Sequence, residues 1–378
     1  MAFWNNQPLS TIEISDKTVL LNTKKELLEQ NKLNDIDKLL EVGMSYIIID
    51  SDEEVFKYKD VIYNFILNNY YNDNQHKIEY SLNTIYYLLQ NSIVILMYDN
   101  ANDIIGLVMG KKTGVIVHNK YFNTINVNFL CIEQSYRQQA MNIVLIRLMI
   151  NTAVNLNILS AFYTVARFLP CSSFGYKFYY HRPINVSKLE DTGFINKNGV
   201  LNKNLFNTYN YSKEFKQNYT IKKITYKDLV DYIKIVNLIN NYNMQNKTIY
   251  EELSILEFDR IVRNNAFLKY LVYDNCDNQI VGVFICHLTK QVLNDIPVTD
   301  ALLYKYALEI DTENVDSYLH YCIETIAEFN DSDVLSTQDS FETLKQMKFI
   351  KGTGYLKHYA YNFNISCIPS DLNGLVTL

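Results

Sequence analysis

The stretch from Thr124 to Val165 restricts the fold of this chain more than any other. Thr124–Ile132 (Thr-Ile-Asn-Val-Asn-Phe-Leu-Cys-Ile) is dense in apolar and β-branched residues and reads as a buried strand. Gln138–Asn155 carries apolar residues at helical spacing and reads as a long helix behind that strand. Ala161–Val165 reads as the strand that ends the unit. A strand, a covering helix and a second strand call for helices packed on a sheet, so the fold class is α/β. Upstream, the reading gives an extended segment to about Ile14, a Lys-rich polar helix up to Leu40, a strand at Ser45–Asp50 and a helix at Glu53–Asn69. Strands follow at Ser92–Tyr98, Ile104–Lys111 and Gly114–His118, with Asp99-Asn100-Ala101-Asn102 marking a hairpin.

The second half repeats this order. A helix is expected over Lys227–Tyr242, strands at Lys269–Tyr273 and Ile280–His287, a helix over Val315–Asn330, and strands at Asp333–Ser336 and Tyr355–Tyr361. Two copies of the same succession predict two similar α/β halves joined near Asn207–Tyr219, residues 1–206 and 207–378.

Composition then narrows the function. The net charge of −6 comes with no basic block, which argues against a nucleic-acid partner. Hydrophobic residues at 48% and charged residues at 20% are a globular balance, and no apolar run approaches the roughly 18–20 residues that span a bilayer. The amino-terminal residues lack the apolar stretch of a signal peptide. The cysteines Cys131, Cys171, Cys276, Cys286, Cys322 and Cys367 include no CxxC pair, so reduced thiols in a cytoplasmic protein and no metal site are expected.

The densest chemistry lies where Asn128-Phe129-Leu130-Cys131-Ile132 runs toward Arg137-Gln138-Gln139-Ala140-Met141. A strand end leading into a helix start gathers backbone N–H groups that suit an anion such as a pyrophosphate. The N–H groups of Phe129 and Leu130 also suit a developing oxyanion. Taken alone, the same residues read better as a plain core strand with an amphipathic helix. Cys131 is either an acyl-accepting nucleophile or a small buried residue. His181, beside Tyr179 and Tyr180, is either a base or a hydrogen-bonded structural histidine.

The same residues resemble the glycylpeptide N-myristoyltransferase family. Asn128–Cys131 and the turn after it resemble that family's Asn-Phe-Leu-Cys strand and its Arg-Ser-Lys-Arg-Leu-Ala turn. Phe3-Trp4-Asn5-Asn6-Gln7-Pro8 resembles its F-W-x-x-Q-P, and Asn69-Tyr70 with Tyr80-Ser81 its N-Y…Y-S. Tyr163-Thr164 with Leu169-Pro170 is similar to Y-T-…-L-P. Tyr179-Tyr180-His181-Arg182, Asn185, Lys188-Leu189 and Gly193-Phe194 are similar to Y-[YW]-H-R-x-x-N-x-x-K-L-x-x-x-G-F. Gly352-Thr353-Gly354 with Tyr359, Tyr361 and Asn362 resembles G-D-G…Y-x-Y-N, and Gly374–Leu378 the G-L-V-x-L ending.

The resemblance implies two acetyltransferase-like halves related by pseudo-twofold symmetry around a saddle-shaped mixed sheet. It implies myristoyl-CoA as acyl donor, held by Phe3, Trp4, Cys131, Ile132 and Arg137 through Met141, with no metal and direct transfer to an amine. Glycine-initiated proteins or peptides are the implied partners, in a monomer that does not span a membrane. Tyr70, Asp73, Tyr80, Tyr179, His181, Tyr304, Lys305, Gly354 and Thr377 would contact the peptide. The terminal carboxylate on Leu378 would be the base, Phe129 and Leu130 the oxyanion hole, and Asn128 and Thr164 would orient the amine. An amine of pKa near 8 facing a carboxylate near 3.5 is a mismatch of about 6 kcal/mol in water, so this base calls for a dry pocket.

Two places depart from the family pattern. The turn keeps Arg137 but has Gln139 and Ala140 where the family has Lys and Arg. The family's acidic run becomes Asn72-Asp73-Asn74-Gln75, the G-D-G aspartate becomes Thr353, and Lys305 stands where a serine is usual. Weaker CoA binding and a lost preference for lysine in the peptide are expected. The alternatives are a catalytically weak binder of acyl-CoA or acyl-peptide with this fold, and an acyltransferase for another acyl chain or a lysine acceptor.

Overall fold

A computed structural model describes residues 7–8, 19–37, 40, 43–70, 76–137, 140–166, 169, 171–195, 213–228, 230–309, 315–329, 332–338 and 348–378. Phe3, Trp4, Asp73, Gln138 and Gln139 lie outside these. The chain is mixed α/β with a large, mixed, unclosed sheet of 14 strands. Its residues cluster into two units: Met1–Asn72, Thr84–Tyr176 and Leu356–Pro369 form unit 1, and Asp73–Asn83, Lys177–Tyr355 and Ser370–Leu378 form unit 2. The main division thus falls at Tyr176/Lys177 rather than at the expected 206/207, and late segments are shared out between the units.

Unit 1 contains β1 (Ser45–Ile49), α1 (Asp52–Asn69), β2 (Ser92–Tyr98), β3 (Ile104–Val117), β4 (Lys120–Ile132), α2 (Met141–Asn155) and β5 (Ser160–Val165). Neighbouring strands from β1 to β4 pair antiparallel, whereas β4 and β5, joined through α2, pair parallel. The β2–β3 turn forms where expected: the Asp99 carboxylate accepts the N–H groups of Ala101 and Asp103, and Asn102 takes φ 66°. The strands expected at Ile104–Lys111 and Gly114–His118 are one, because the pairing with β4 continues through Thr113↔Thr124. The apolar face of α2 (Val144, Leu145, Leu148, Met149) packs on Ile93, Ile95, Val108 and Ile125. Gly110 permits that approach, since a Cβ there would lie 2.3 Å from Ile125 Cγ2 and 3.3 Å from Met149 Sδ.

The helix expected from Gln138 begins at Met141, because Ala140 has φ 57° and ψ 18°, a left-handed conformation that a right-handed helix cannot continue through. The Lys-rich helix expected up to Leu40 is two short ones, Lys24–Gln30 and Leu33–Asp37, the first opened by a Thr23/Glu26 capping box.

Unit 2 holds most of β6 (Gly175–Pro183), then β7 (Tyr219–Lys223), α3 (Tyr232–Asn246), β8 (Ile249–Glu251), α4 (Ile255–Arg263), β9 (Phe267–Asp274), β10 (Ile280–Leu293), β11 (Ile296–Leu308), α5 (Val315–Glu328), β12 (Val334–Thr337) and the start of β13 (Ile350–Tyr361). The strand order is β6-β12-β11-β10-β9-β7. Helix α3 starts at Tyr232, later than expected, because Asp231 caps it by accepting the Lys234 N–H at 3.0 Å. β6, β11 and α4 had not been expected. Tyrosines build the core here: Tyr270 stacks on Phe284 at 4.6 Å, and buried Tyr318 of α5 packs with them. Among the described residues, no helix is long and apolar enough to cross a membrane.

Candidate functional site

In unit 1 the β3–β4 ladder is broken beside the expected catalytic residues. Val108 faces Leu130 and Gly110 faces Val127, so two residues of β4, Asn128 and Phe129, oppose the single residue Met109. This is a β-bulge, which bends its strand and re-aims backbone groups out of the ladder. On its other edge, β4 pairs with β5 only as far as Val127↔Tyr163. An apolar cavity of about 340 Å³ adjoins this break. Val127, Asn128 and Leu130 of β4, Ile146, Met149 and Ile150 of α2, and Tyr163, Thr164 and Val165 of β5 line it. The expected catalytic residues Asn128, Leu130 and Thr164 are therefore on one cavity wall, and Phe129 is buried beside them at 2% exposure.

The expected cofactor residues are more mixed. Cys131 is buried in the strand and burial pushes its thiol up to about 12, with Arg137 pulling the other way, so it is no thiolate nucleophile at neutral pH. Ile132 and Met141 are core residues, so only their backbone could meet a ligand. Arg137 donates Nε–H to the Ile132 carbonyl at 3.0 Å and Nη2–H to the Asn69 carbonyl at 2.9 Å, bracing the end of β4 against the end of α1. Helix α2 carries no side-chain cap, leaving its first turn to other acceptors. Tyr70 ends α1, with its ring edge-on to Phe129 at 4.8 Å, and burial raises its phenol.

In unit 2, several expected peptide residues meet. Tyr179 lies parallel to His181, with centroids 6.2 Å apart, and the Phe194 ring stands edge-on to His181 at 5.1 Å. A Cβ on Gly354 would touch the Tyr179 ring at 3.8 Å. Gln338 donates to the Tyr179 hydroxyl at 3.0 Å and to the Thr377 carbonyl at 3.1 Å, and its oxygen accepts the Thr377 N–H at 3.4 Å. Burial holds His181 down to about 4, so the ring is neutral at physiological pH.

The tail before Leu378 is held as firmly as a strand. Gly374 donates its N–H to the Ile249 carbonyl at 2.7 Å, and a Cβ there would come within 3.1 Å of that oxygen. Fully buried Lys177 donates Nζ–H to the Leu375 carbonyl at 3.0 Å. Lys177 and Gln338 escaped sequence reading. Lys177 stands two residues before Tyr179 but carries no spacing signal, and Gln338 is 39 residues from its partner Thr377.

Lys305, the cation that stands where the family has a serine, is paired. Its ammonium lies 3.4 Å from Glu251, with both side chains largely buried, and 4.7 Å from the Tyr304 ring centroid. Tyr304 itself packs at 5.6 Å from the Phe267 ring, and Tyr80 is half-buried. Among the described residues, no three His, Cys, Asp or Glu side chains converge as a metal would require.

Residues 22–173 match the family model described as "Myristoyl-CoA:protein N-myristoyltransferase, N-terminal domain". The chain is similar to the glycylpeptide N-tetradecanoyltransferase of Plasmodium falciparum, 23% identical over all of this chain and 93% of that protein. The Dictyostelium discoideum protein of the same name is 24% identical over all of this chain and 92% of its own. A crystal structure of Saccharomyces cerevisiae N-myristoyltransferase with bound myristoyl-CoA superposes with a TM-score of 0.82 at 18% identity, covering all of this chain and 95% of that one.

Proposed function

Since the chain belongs to the N-myristoyltransferase family, we propose that it transfers the acyl group of myristoyl-CoA to the amino-terminal glycine of protein substrates. The observation that carries this reading is the apolar cavity beside the Asn128–Phe129 bulge. At ~30 Å³ per water-sized group, its 340 Å³ holds roughly eleven such groups, close to a fourteen-carbon acyl tail. Burying that tail at about 0.8 kcal/mol per methylene gives about 10 kcal/mol before ordering costs.

Unit 1 is then the acyl-CoA half. With the thioester carbonyl at the cavity mouth, the N–H groups of Phe129 and Leu130 stabilise the oxyanion as the amine attacks. Asn128 and Thr164 orient that amine. The first turn of α2 and Arg137 take the CoA phosphates. Unit 2 is the peptide half, with Tyr179, His181, Gly354 and Thr377 as contacts, and in a chain ending at Leu378 the carboxylate there accepts the amine's proton. Collapse of the intermediate forms the amide and expels CoA as its thiolate, which takes up a proton. The bonds from Lys177, Gln338 and Ile249 to the tail support this base, because a general base must be held within about 3 Å of its proton.

One observation favours the alternative of binding without turnover: Arg137 already serves two protein carbonyls, and Gln139 and Ala140 add no charge. Purified protein mixed with myristoyl-CoA and glycine-initiated peptides decides between them. Transfer gives a tetradecanoyl mass gain on the peptide with equal free thiol. Thermal stabilisation by myristoyl-CoA with neither product would leave the binder.

A further inference from the structure

Three adjacent strands of unit 2 place a polar row on one face of the sheet. His181 of β6 pairs directly with Ser336 of β12, and Asp300 of β11 pairs with Val334 two residues before it. His181 Nδ1 lies 2.7 Å from Ser336 Oγ, and Ser336 Oγ–H donates to Asp300 Oδ2 at 2.9 Å. Ser336 is fully buried and Asp300 is 6% exposed, so both bonds are shielded from bulk solvent. Asp300 Oδ1 has no hydrogen-bond partner among the described residues.

The donor count fixes the direction of the row. A serine hydroxyl has one hydrogen, and a carboxylate can only accept. Ser336 therefore gives its hydrogen to Asp300 and must accept at Nδ1, which places the imidazole hydrogen on Nδ1 and leaves a lone pair on Nε2. Nε2 lies on the side approached by Gly352, where a Cβ would sit 2.8 Å away. We propose that Asp300 and Ser336 are positioning residues that lock His181 in its Nδ1–H tautomer, so that Nε2 reads a hydrogen-bond donor on the bound peptide. This rests on unit 2 being the peptide half. A hydroxyl or amide side chain of the substrate satisfies such an acceptor, whereas one that can only accept does not.

Other groups facing Asp300 are Gln291 of β10, at 3.5 Å, and Thr289, opposite it in the ladder and bonded to His287 at 3.2 Å. Asp333, paired with Lys188 at 2.7 Å, holds the neighbouring Thr299 N–H. Burial raises the Asp300 carboxyl to about 7, so the row is set with Asp300 ionised at pH 8.

Two readouts at pH 8 test the lock. Nitrogen-15 NMR of the imidazole should show Nδ1–H in the wild type and in Ser336→Thr, and a tautomer mixture in Ser336→Ala and Asp300→Ala. Glycine-initiated peptides with serine walked along the sequence should include one position where O-methylserine, which keeps the acceptor but lacks the donor, raises KM roughly five- to tenfold at unchanged kcat. That discrimination should vanish in both alanine variants and survive in Ser336→Thr. A wild-type Nε2–H tautomer, or a discrimination that the alanine variants keep or the wild type lacks, overturns the proposal. The tautomer requires no turnover, and peptide affinity by calorimetry can replace KM. Failure of myristoyl transfer is therefore told apart from failure of the lock.

Discussion

The cavity wall of unit 1 and the proposed peptide-reading face of unit 2 are built from different kinds of parts. In unit 1, the proposed working parts are a bulged backbone at Asn128–Phe129 and an apolar volume between β4, α2 and β5. Neither depends on a particular charged side chain. In unit 2, the proposed recognition depends on individual side chains held by particular partners: Lys305 by Glu251, and His181 through Ser336 to Asp300. A bent backbone and an apolar volume tolerate volume-conserving substitution, whereas a donor, acceptor or charge is lost with a single one.

The harshest way to break this comparison is to remove the one backbone group that unit 2 is proposed to supply. Deleting Leu378 withdraws the carboxylate by about 3.5 Å, and turnover should fall by roughly 10²–10⁴. A C-terminal tag should do the same, whereas Leu378→Ala should be far milder. Myristoyl-CoA binding, read by thermal shift, should not change. His181→Ala is the control: as a peptide contact it raises KM, and a collapse of kcat instead would transfer the base role to His181.

Next in size is the cavity. Ala161 lines it, and Ala161→Leu places about three carbons where acyl methylenes would lie. At about 0.8 kcal/mol each, myristoyl-CoA should bind roughly fiftyfold more weakly, while an acyl-CoA three carbons shorter should lose little. Equal losses for both chains would mean that the fold, not the cavity, had been damaged.

How much of this was legible beforehand follows the same line. β2 was read end to end, because apolar residues fill it and a turn with a side-chain cap closes it. β11 was missed although Asn294-Asp295, at φ 48° and 64°, form the kind of two-residue turn that joins hairpin strands. The apolar runs on either side, with that turn between them, were the signal. The bulge left no trace in the residue pattern, because strand register is a property of two segments together. The Lys305–Glu251 pair, 54 residues apart, and the His181–Ser336 contact, 155 apart, are likewise products of the sheet rather than of local spacing. The motifs named His181 and Lys305 as positions, but Ser336 and Glu251, the side chains that bond to them, belong to no motif.

Lys305 offers a smaller and sharper test. With Glu251 neutralising it, peptides bearing a downstream lysine should show no advantage over neutral ones. Lys305→Ser unmasks the Glu251 carboxylate, and with exposed Thr353 changed to Asp the groove gains acidic character. Lysine-bearing peptides should then react about fivefold faster, the worth of about 1 kcal/mol in a half-exposed setting. A wild-type enzyme that already prefers lysine tenfold would place another acid in the groove.

The last test reads stability rather than turnover, and it isolates the cost of burying Asp300 in unit 2. Burial raises the Asp300 carboxyl from 3.8 to about 7, against the opposing pull of its bond from Ser336. A raised folded-state pKa means that the folded chain holds this proton when the unfolded chain has already lost it. Stability from this group is therefore greatest below pH 4, declines as pH rises from about 4 to 7, and is constant above. Asp300→Asn removes the ionisation, so relative to wild type its Tm should gain progressively across that window and level off near pH 8. The full gain is on the order of 2–4 kcal/mol at most, offset in part by a weaker acceptor for Ser336. His181, held near 4 by burial, works in the opposite sense: it favours the neutral ring, and its contribution is lost only as pH falls from 6.5 toward 4. The wild-type minus Asp300→Asn difference cancels His181 and reports Asp300 alone. A difference that does not vary between pH 4 and 8 would show that Asp300 is ionised throughout, with its unpartnered oxygen reached by water, and the two faces of the molecule would then differ in specificity but not in what they cost to fold.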